Sequence, residues 1–264
     1  MPRGNRHFLP GYVWHLTHRC HKREFLLGFI RDRRRYVHWL FEAKKRQALT
    51  ILNYVVTSNH IHLLVEGGEQ RKAIPRGMQL VAGRVAQEYN IRKGREGAFW
   101  QGRYHATAVQ SGEHLRRCMS YIDLNMERAA VVEDPVEWQW SGYREIQRPP
   151  QRYRRVDSGR TAELLGLSGP EELRAWQKGA AHQMSPARGE RDQKWTESIA
   201  VGSEAFVREV QGRLGIVGKS REVKAEGDSF VLRERAAGYE SGTEGSRRQR
   251  ADQPPANTIE WHCL

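Results

Sequence analysis

The sequence predicts an α+β fold. A largely antiparallel sheet is expected in the order strand, helix, strand, strand, helix, strand, with one added helix and a small, mostly helical or irregular C-terminal region. Short β-branched runs with apolar and polar residues alternating give the strands, and two long segments with apolar residues at helical spacing give the helices. The third observation is a polar link of two residues between the second and third strand candidates, which reads as an antiparallel hairpin.

Residues 12–19 (YVWHLTHR) alternate over much of their length and suit the first strand. Residues 31–46 follow with Tyr36, Leu40 and Ala43 at helical spacing. The β-branched run 49–57 (LTILNYVVT) is linked by Ser58 and Asn59 to residues 60–66 (HIHLLVE). Residues 74–91 set Met78, Val81, Val85 and Tyr89 along one helical stripe, and 99–109 suit a fourth strand. Ser111 is the expected N-cap of a helix running to about residue 125. This is the βαββαβ pattern of a ferredoxin-like split sheet, which leaves one face for a ligand.

Beyond residue 128 the signals weaken. Residues 136–143 (VEWQWSGY) are aromatic-rich and expected to pack back on the domain, and 148–155 (RPPQRYRR) to form a linker. Helical pieces are expected over 161–178 and, behind Ser203, over 204–214. From about residue 238 the chain is Gly, Ser, Arg and Gln with few apolar residues, the composition of disorder. The expected organisation is a first domain over 1–145, a partly helical accessory region over 146–235 and a disordered tail over 236–264.

The 264 residues carry a net charge of +13, with 44 Lys and Arg against 31 Asp and Glu. Residues 1–128 hold 23 basic and 10 acidic residues, whereas 129–264 hold 21 of each. The excess therefore belongs to one module, as expected for a polyanion partner. Composition alone does not separate DNA from RNA or a charged membrane surface. No apolar run approaches the roughly 20 residues of a membrane span, and residues 1–10 lack the apolar stretch of a signal peptide. A cytoplasmic protein without membrane partners is the expectation. Cys20, Cys118 and Cys263 form no C-x-x-C pair, which argues against both a disulfide framework and a cysteine zinc site. Gly218-Lys219-Ser220 resembles the end of a phosphate-binding loop, but Arg213 stands where that loop requires glycine.

His60 and His62 stand two apart in a strand, so both imidazoles project from one side of the sheet while Ile61 enters the core. Two histidines so placed can share a divalent cation, although a bare H-x-H is more often a solvated pair. Tyr121 lies on the helix after Ser111, whose apolar stripe is Leu115, Cys118, Met119 and Ile122. Arg117, Tyr121, Asn125 and Arg128 follow at spacings of four, four and three on another face. A phenol, an amide and two guanidiniums are the groups that attack on a phosphodiester needs, and Asn125 is suited to complete a His-His-amide metal set. On helix spacing alone a rim tyrosine half-packed beside Leu124 is the better reading. His15, His18 and His21 fall three apart, form no second H-x-H, and read as structural.

Ordered motifs resolve these alternatives. They are Pro2-Arg3, Gly11-Tyr12-Val13-Trp14-His15-Leu16-Thr17, Asn59-His60-Ile61-His62-Leu63-Leu64-Val65, Phe99-Trp100-Gln101-Gly102-Arg103-Tyr104, Tyr121-Ile122-Asp123-Leu124-Asn125 and Trp138-Gln139-Trp140-Ser141-Gly142-Tyr143. In this order the chain resembles the HUH single-tyrosine transposases, in particular the REP-associated tyrosine transposase group, over roughly its first 145 residues. The resemblance implies that Tyr121 is the nucleophile and that His60, His62 and Asn125 hold Mg²⁺ or Mn²⁺. It also implies that single-stranded or hairpin DNA is cut and rejoined through a 5′-phosphotyrosine. Met126 departs from the family pattern, where proline follows the asparagine and sets the helix end. Arg103 and Tyr104, with Arg117 and Arg128, are the expected DNA contacts, and Trp100 and the run 31–35 are further candidates. A site formed within one chain and a site shared across a homodimer both fit the sequence. Two other readings stay open: a nucleic-acid-binding protein on the same fold, which has no need of Tyr121, and a metal-dependent nuclease in which water attacks.

Overall fold

The computed structural model describes residues 9–68, 70–183 and 192–234. The tail expected to be disordered, 236–264, lies outside the described residues, as do Pro2 and Arg3.

The first strand, β1 (Val13–Arg19), leads through a short turn into α1 (Ile30–Gln47). Tyr36, Val37, Leu40 and Ala43 are the buried stripe of α1, and Ala48 ends it in the left-handed conformation. β2 (Thr50–Val56) and β3 (His60–Glu66) form the expected hairpin, closed where the Thr57 amide donates to the His60 carbonyl at 3.0 Å. α2 (Ala73–Lys93) buries Ile74, Met78, Val81 and Val85, and ends at Gly94 with φ +55°.

Two boundaries differ from expectation. The fourth strand, β4, covers only His105–Val109. Upstream of it Trp100 makes an isolated bridge to Cys20, and the chain then turns at Gly102, whose φ of +137° interrupts the extended run. α3 (Glu113–Asp123) starts one residue later than a Ser111 cap requires. Gly112 occupies the cap position and no side chain caps the helix. α3 ends at Leu124, and one further turn, α4 (Asn125–Arg128), follows.

The four strands lie in the order β2, β3, β1, β4, all antiparallel, which is the split βαββαβ arrangement. Register fixes what each face carries. Thr17 of β1 is paired with His62 on one side and His105 on the other, and His15 with Leu64 and Thr107. His15, Thr17, His60, His62, His105 and Thr107 therefore share one face. A bulge in β2 between Ile51 and Asn53 places Asn53 opposite Leu64 on that same face. The other face is covered by α1 and α2.

The C-terminal region is helical where expected, and it also extends the sheet, which the sequence pattern did not announce. α5 (Gly142–Gln147) packs against β2, where Gly142 lies so close to Asn53 and the Tyr54 amide that a Cβ would overlap them. The helix expected over 161–178 is two helices, α6 (Ser158–Leu164) and α7 (Pro170–Gln183), separated at Gly166 with φ +69° and by Pro170. A turn, α8 (Lys194–Glu197), leads to β5 (Ala200–Gly202), which pairs with β4 in parallel. α9 (Glu204–Arg213) is capped as predicted, Ser203 Oγ accepting from the Phe206 amide. α10 (Ile216–Lys219) covers the Gly-Lys-Ser segment, and the hairpin β6 (Arg221–Glu226) and β7 (Ser229–Glu234) completes a seven-stranded sheet ordered β2, β3, β1, β4, β5, β7, β6. One core runs through both parts, joining Leu16, Ile61 and Leu115 to Trp195, Val207 and Leu232.

Residues 138–157 are pinned to β2 by buried polar groups. Glu145 accepts from the Tyr54 hydroxyl at 2.9 Å, the Val156 amide at 2.9 Å, the Arg155 guanidinium at 3.0 Å and the Arg155 amide. Removing that carboxylate strands a buried guanidinium and three further donors. Glu145→Leu is expected to lower the unfolding free energy by about 3–5 kcal/mol, whereas Tyr54→Phe, losing one hydrogen bond, costs about 1 kcal/mol. Urea denaturation of the two variants checks the order.

Candidate active site

A cleft of about 510 Å³ opens beside β3, lined by His60, His62, Tyr121, Asn125, Arg103 and Arg128 among others. The strand fixes the two histidines. Because their spacing is two, the apolar neighbours Ile61 and Leu63 are fully buried on the far face while the imidazoles reach the cleft.

Each ring is held by its Nδ1. Asn59 Oδ1, which has no proton to give, accepts from His60 Nδ1 at 2.7 Å. Thr57 Oγ1 lies 3.0 Å from the same nitrogen and also accepts from the His60 amide, so the turn before β3 orients the ring. His62 Nδ1 faces His15 Nε2 at 2.9 Å, and Asn125 Nδ2 lies 3.3 Å from His62 Nε2. The ring centroids of His60 and His62 are 5.0 Å apart.

α3 brings Tyr121 over this stripe. It is held against the sheet by Asp123, whose carboxylate accepts from Asn53 on β2 at 2.8 Å and from Gln177 on α7 at 2.9 Å. Burial pushes the Asp123 carboxyl up to about 7, against the lowering effect of both amides. Tyr121 is itself only 7% exposed, so it is no rim residue. Its ring lies 5.6 Å from His62 and 6.2 Å from His15, and the Arg128 guanidinium sits 4.3 Å from its centroid. Arg128 also donates to the Tyr121 carbonyl at 3.0 Å. Burial pulls the Arg128 pKa down, while Tyr121 and Asp192 act in the opposite direction. The guanidinium thereby sets positive charge against the face of the phenol ring.

The break at Leu124 answers the question raised by Met126. Even without proline there, the chain turns between α3 and α4 and Asn125 reaches His62.

Two expected DNA contacts are placed differently. Arg117 does not line the cleft; it pairs with Glu113 at 3.0 Å and with Asp228 of the β6–β7 hairpin. Tyr104 is 8% exposed and meets the His18 ring edge-on, so its face offers no open stacking surface. In the run 31–35, Arg33 is buried and donates to the Leu27 and Gly28 carbonyls, and Arg35 pairs with Glu88. Trp100 stacks on His18 with centroids 4.0 Å apart and donates to the Ala82 carbonyl. Sequence reading missed Arg19, His105 and Thr196 in the lining. It also missed that His15 touches His62, a contact visible only once β1 and β3 are in register.

Among the described residues no cluster of three or more His, Cys, Asp and Glu is placed to hold a metal. The donors gathered here are instead two imidazoles and an amide. Both Nδ1 atoms are engaged by other partners, so ligation of a cation would fall to Nε2 of each ring. Asn125 offers its oxygen when the amide is turned. This set fits a borderline-to-hard divalent cation.

Residues 10–125 match the family described as transposase, IS200-like. No curated protein matches the chain. Among solved structures, a REP-associated tyrosine transposase bound to a REP hairpin is similar at 20% identity, with TM-score 0.44, covering 58% of this chain and 90% of that one. A protein from Deinococcus radiodurans R1, named as a transposase, is similar at 17% identity with TM-score 0.33, covering 44% of this chain and 90% of that one. The segment matched by the family model contains His60, His62, Tyr121 and Asn125.

Proposed function

We propose that this protein is a transposase that cuts and rejoins single-stranded DNA, including hairpin DNA, through a covalent bond to Tyr121. The observation that carries the reading is the packing of the Tyr121 ring between His62 and the Arg128 guanidinium in a cleft lined by basic side chains. In this reading Tyr121 Oη, deprotonated beside Arg128, attacks the scissile phosphorus in line. The P–O3′ bond breaks, the leaving oxygen takes a proton and becomes a free 3′-OH, and the 5′-phosphate stays on the tyrosine. A 3′-OH from another strand end later attacks the same phosphorus, its proton is lost, and Tyr121 leaves. One phosphoester is exchanged for another at each step, so no nucleotide hydrolysis is needed.

His60, His62 and Asn125 would hold Mg²⁺ or Mn²⁺, which when bound supplies a Lewis acid for the scissile phosphate. Arg103 and Arg19, in the cleft wall, would meet neighbouring phosphates. In this reading each chain supplies its own groups, and a homodimer would carry two complete sites. No helix among the described residues is long and apolar enough to cross a membrane, and a DNA substrate argues for a cytoplasmic place of action.

The test uses end-labelled hairpin DNA from the flanks of the gene, Mn²⁺, and a denaturing gel. Wild type should give a denaturation-resistant protein–DNA adduct that Tyr121→Phe and excess EDTA both abolish. Cleavage by both proteins without an adduct would replace this reading with attack by water, and binding without any product would leave a nucleic-acid-binding protein. Arg128→Met should still form the adduct, but about tenfold more slowly in single turnover, through loss of a cation–π contact worth about 1–2 kcal/mol.

A further inference from the structure

His15 is a fully buried polar side chain near the cleft, with no exposed surface. It does not line the cleft, and nothing in the proposed reaction uses it. Both of its ring nitrogens are nevertheless committed. Nδ1 lies 2.9 Å from the Trp195 carbonyl and Nε2 lies 2.9 Å from His62 Nδ1.

The direction of this chain of hydrogen bonds follows from its fixed end. A carbonyl oxygen only accepts, so His15 Nδ1 carries the proton that points to Trp195. A ring with no access to water is neutral unless an anion faces it. His15 Nε2 then presents a lone pair, and His62 Nδ1 has to donate to it. The opposite edge of His62 agrees: the Asn125 amide nitrogen, which has only protons to offer, lies 3.3 Å from Nε2. The two imidazole planes are within 16° of parallel, with centroids 5.1 Å apart.

We propose that His15 is a positioning residue that fixes His62 in its Nδ1–H tautomer and keeps the Nε2 lone pair aimed into the cleft. The proposal rests on the reading of His62 as a metal ligand and adds to it the group that sets that ligand's tautomer and orientation. It also gives the C-terminal region a part in the site. Trp195 belongs to the one-turn helix α8, whose carbonyls have no partners within the helix. The Trp195 carbonyl is met by His15 and, at 3.3 Å, by Thr107 Oγ1. Its place is held by the added strands: the Ala108 amide donates to the Ile199 carbonyl, and the Ile199 amide to the Leu232 carbonyl. A ligand on β3 is thereby oriented from a segment more than 130 residues later, reached through a residue on β1.

Two polar variants separate positioning from packing. In His15→Gln the side-chain oxygen reaches about where Nε2 stands and keeps an acceptor for His62. In His15→Asn the shorter side chain keeps the Trp195 contact and gives up the His62 contact. Two measurements on the full chain decide: the His62 tautomer from ¹⁵N-correlated NMR without metal, assigned by its loss in His62→Gln, and Mn²⁺ affinity from the electron paramagnetic resonance of free Mn²⁺. Wild type and His15→Gln should show His62 protonated at Nδ1. His15→Asn should shift it toward Nε2–H and bind Mn²⁺ about 10–100-fold more weakly. Mn²⁺ affinity within about threefold of wild type in His15→Asn, with the tautomer unchanged, would overturn the proposal, as would equal losses in both variants. Wild type that binds no Mn²⁺ would sink the metal reading alone, because the tautomer comparison needs no metal.

Discussion

The antiparallel register between β1 and β3 holds the rest of the molecule in place. Thr17 stands opposite His62 and Arg19 opposite His60, and Val13 to Thr17 are paired again with β4. Side chains alternate faces with a period of two, so a slip of one residue would send His60 and His62 into the core and Ile61 and Leu63 into the cleft. The apolar contacts of Leu16, Ile61 and Leu63, all essentially without exposed surface, make that slip costly. The same pairing that builds the core therefore places the polar face of the site.

On that face the polar groups are tied outward to three separate parts of the chain. Asp123 draws α3 to Asn53 and to Gln177 on α7, which sets Tyr121 above the histidines. Asn59 orients His60 from the hairpin turn, and the Trp195 carbonyl reaches the stripe through His15. Buried polar groups of this kind are stable only when every member finds a partner. The site thus depends on the C-terminal region being folded, even though the family match ends at residue 125.

What the sequence made legible follows from how local each signal is. The split sheet was readable because alternation in 60–66 and helical stripes such as Met78, Val81 and Val85 are properties of neighbouring residues. The shared face of His60 and His62 came from the same period, whereas the roles of Tyr121 and Asn125 came from the resemblance, since helix spacing alone fits a rim tyrosine. His15 escaped notice because its partner lies across a strand pair, and comparing it only with His18 and His21 along the chain hides the alternation of His15, Thr17 and Arg19. Arg117 satisfied the spacing argument but is drawn away by Asp228, a residue 111 positions later. β5 is three residues long and β6 is mostly charged, so neither has a strand signature apart from the pairing that forms it.

The continuation of the sheet past β4 has a consequence for how these molecules behave beside one another. A sheet ending at β4 would present the apolar run Ala106 to Val109 with unpaired backbone groups, a template for another chain. With β5, β7 and β6 added, the outermost strand on that side is Arg221–Glu226, in which Arg221, Glu222, Lys224 and Glu226 place charge along the rim. At the far rim β2 is shielded by its own chain, since Val56 donates to the Trp140 carbonyl and the Asp157 amide donates to the Ile51 carbonyl. Both rims are thereby guarded against adding a foreign strand. Neighbouring copies of this protein are kept from joining edge to edge.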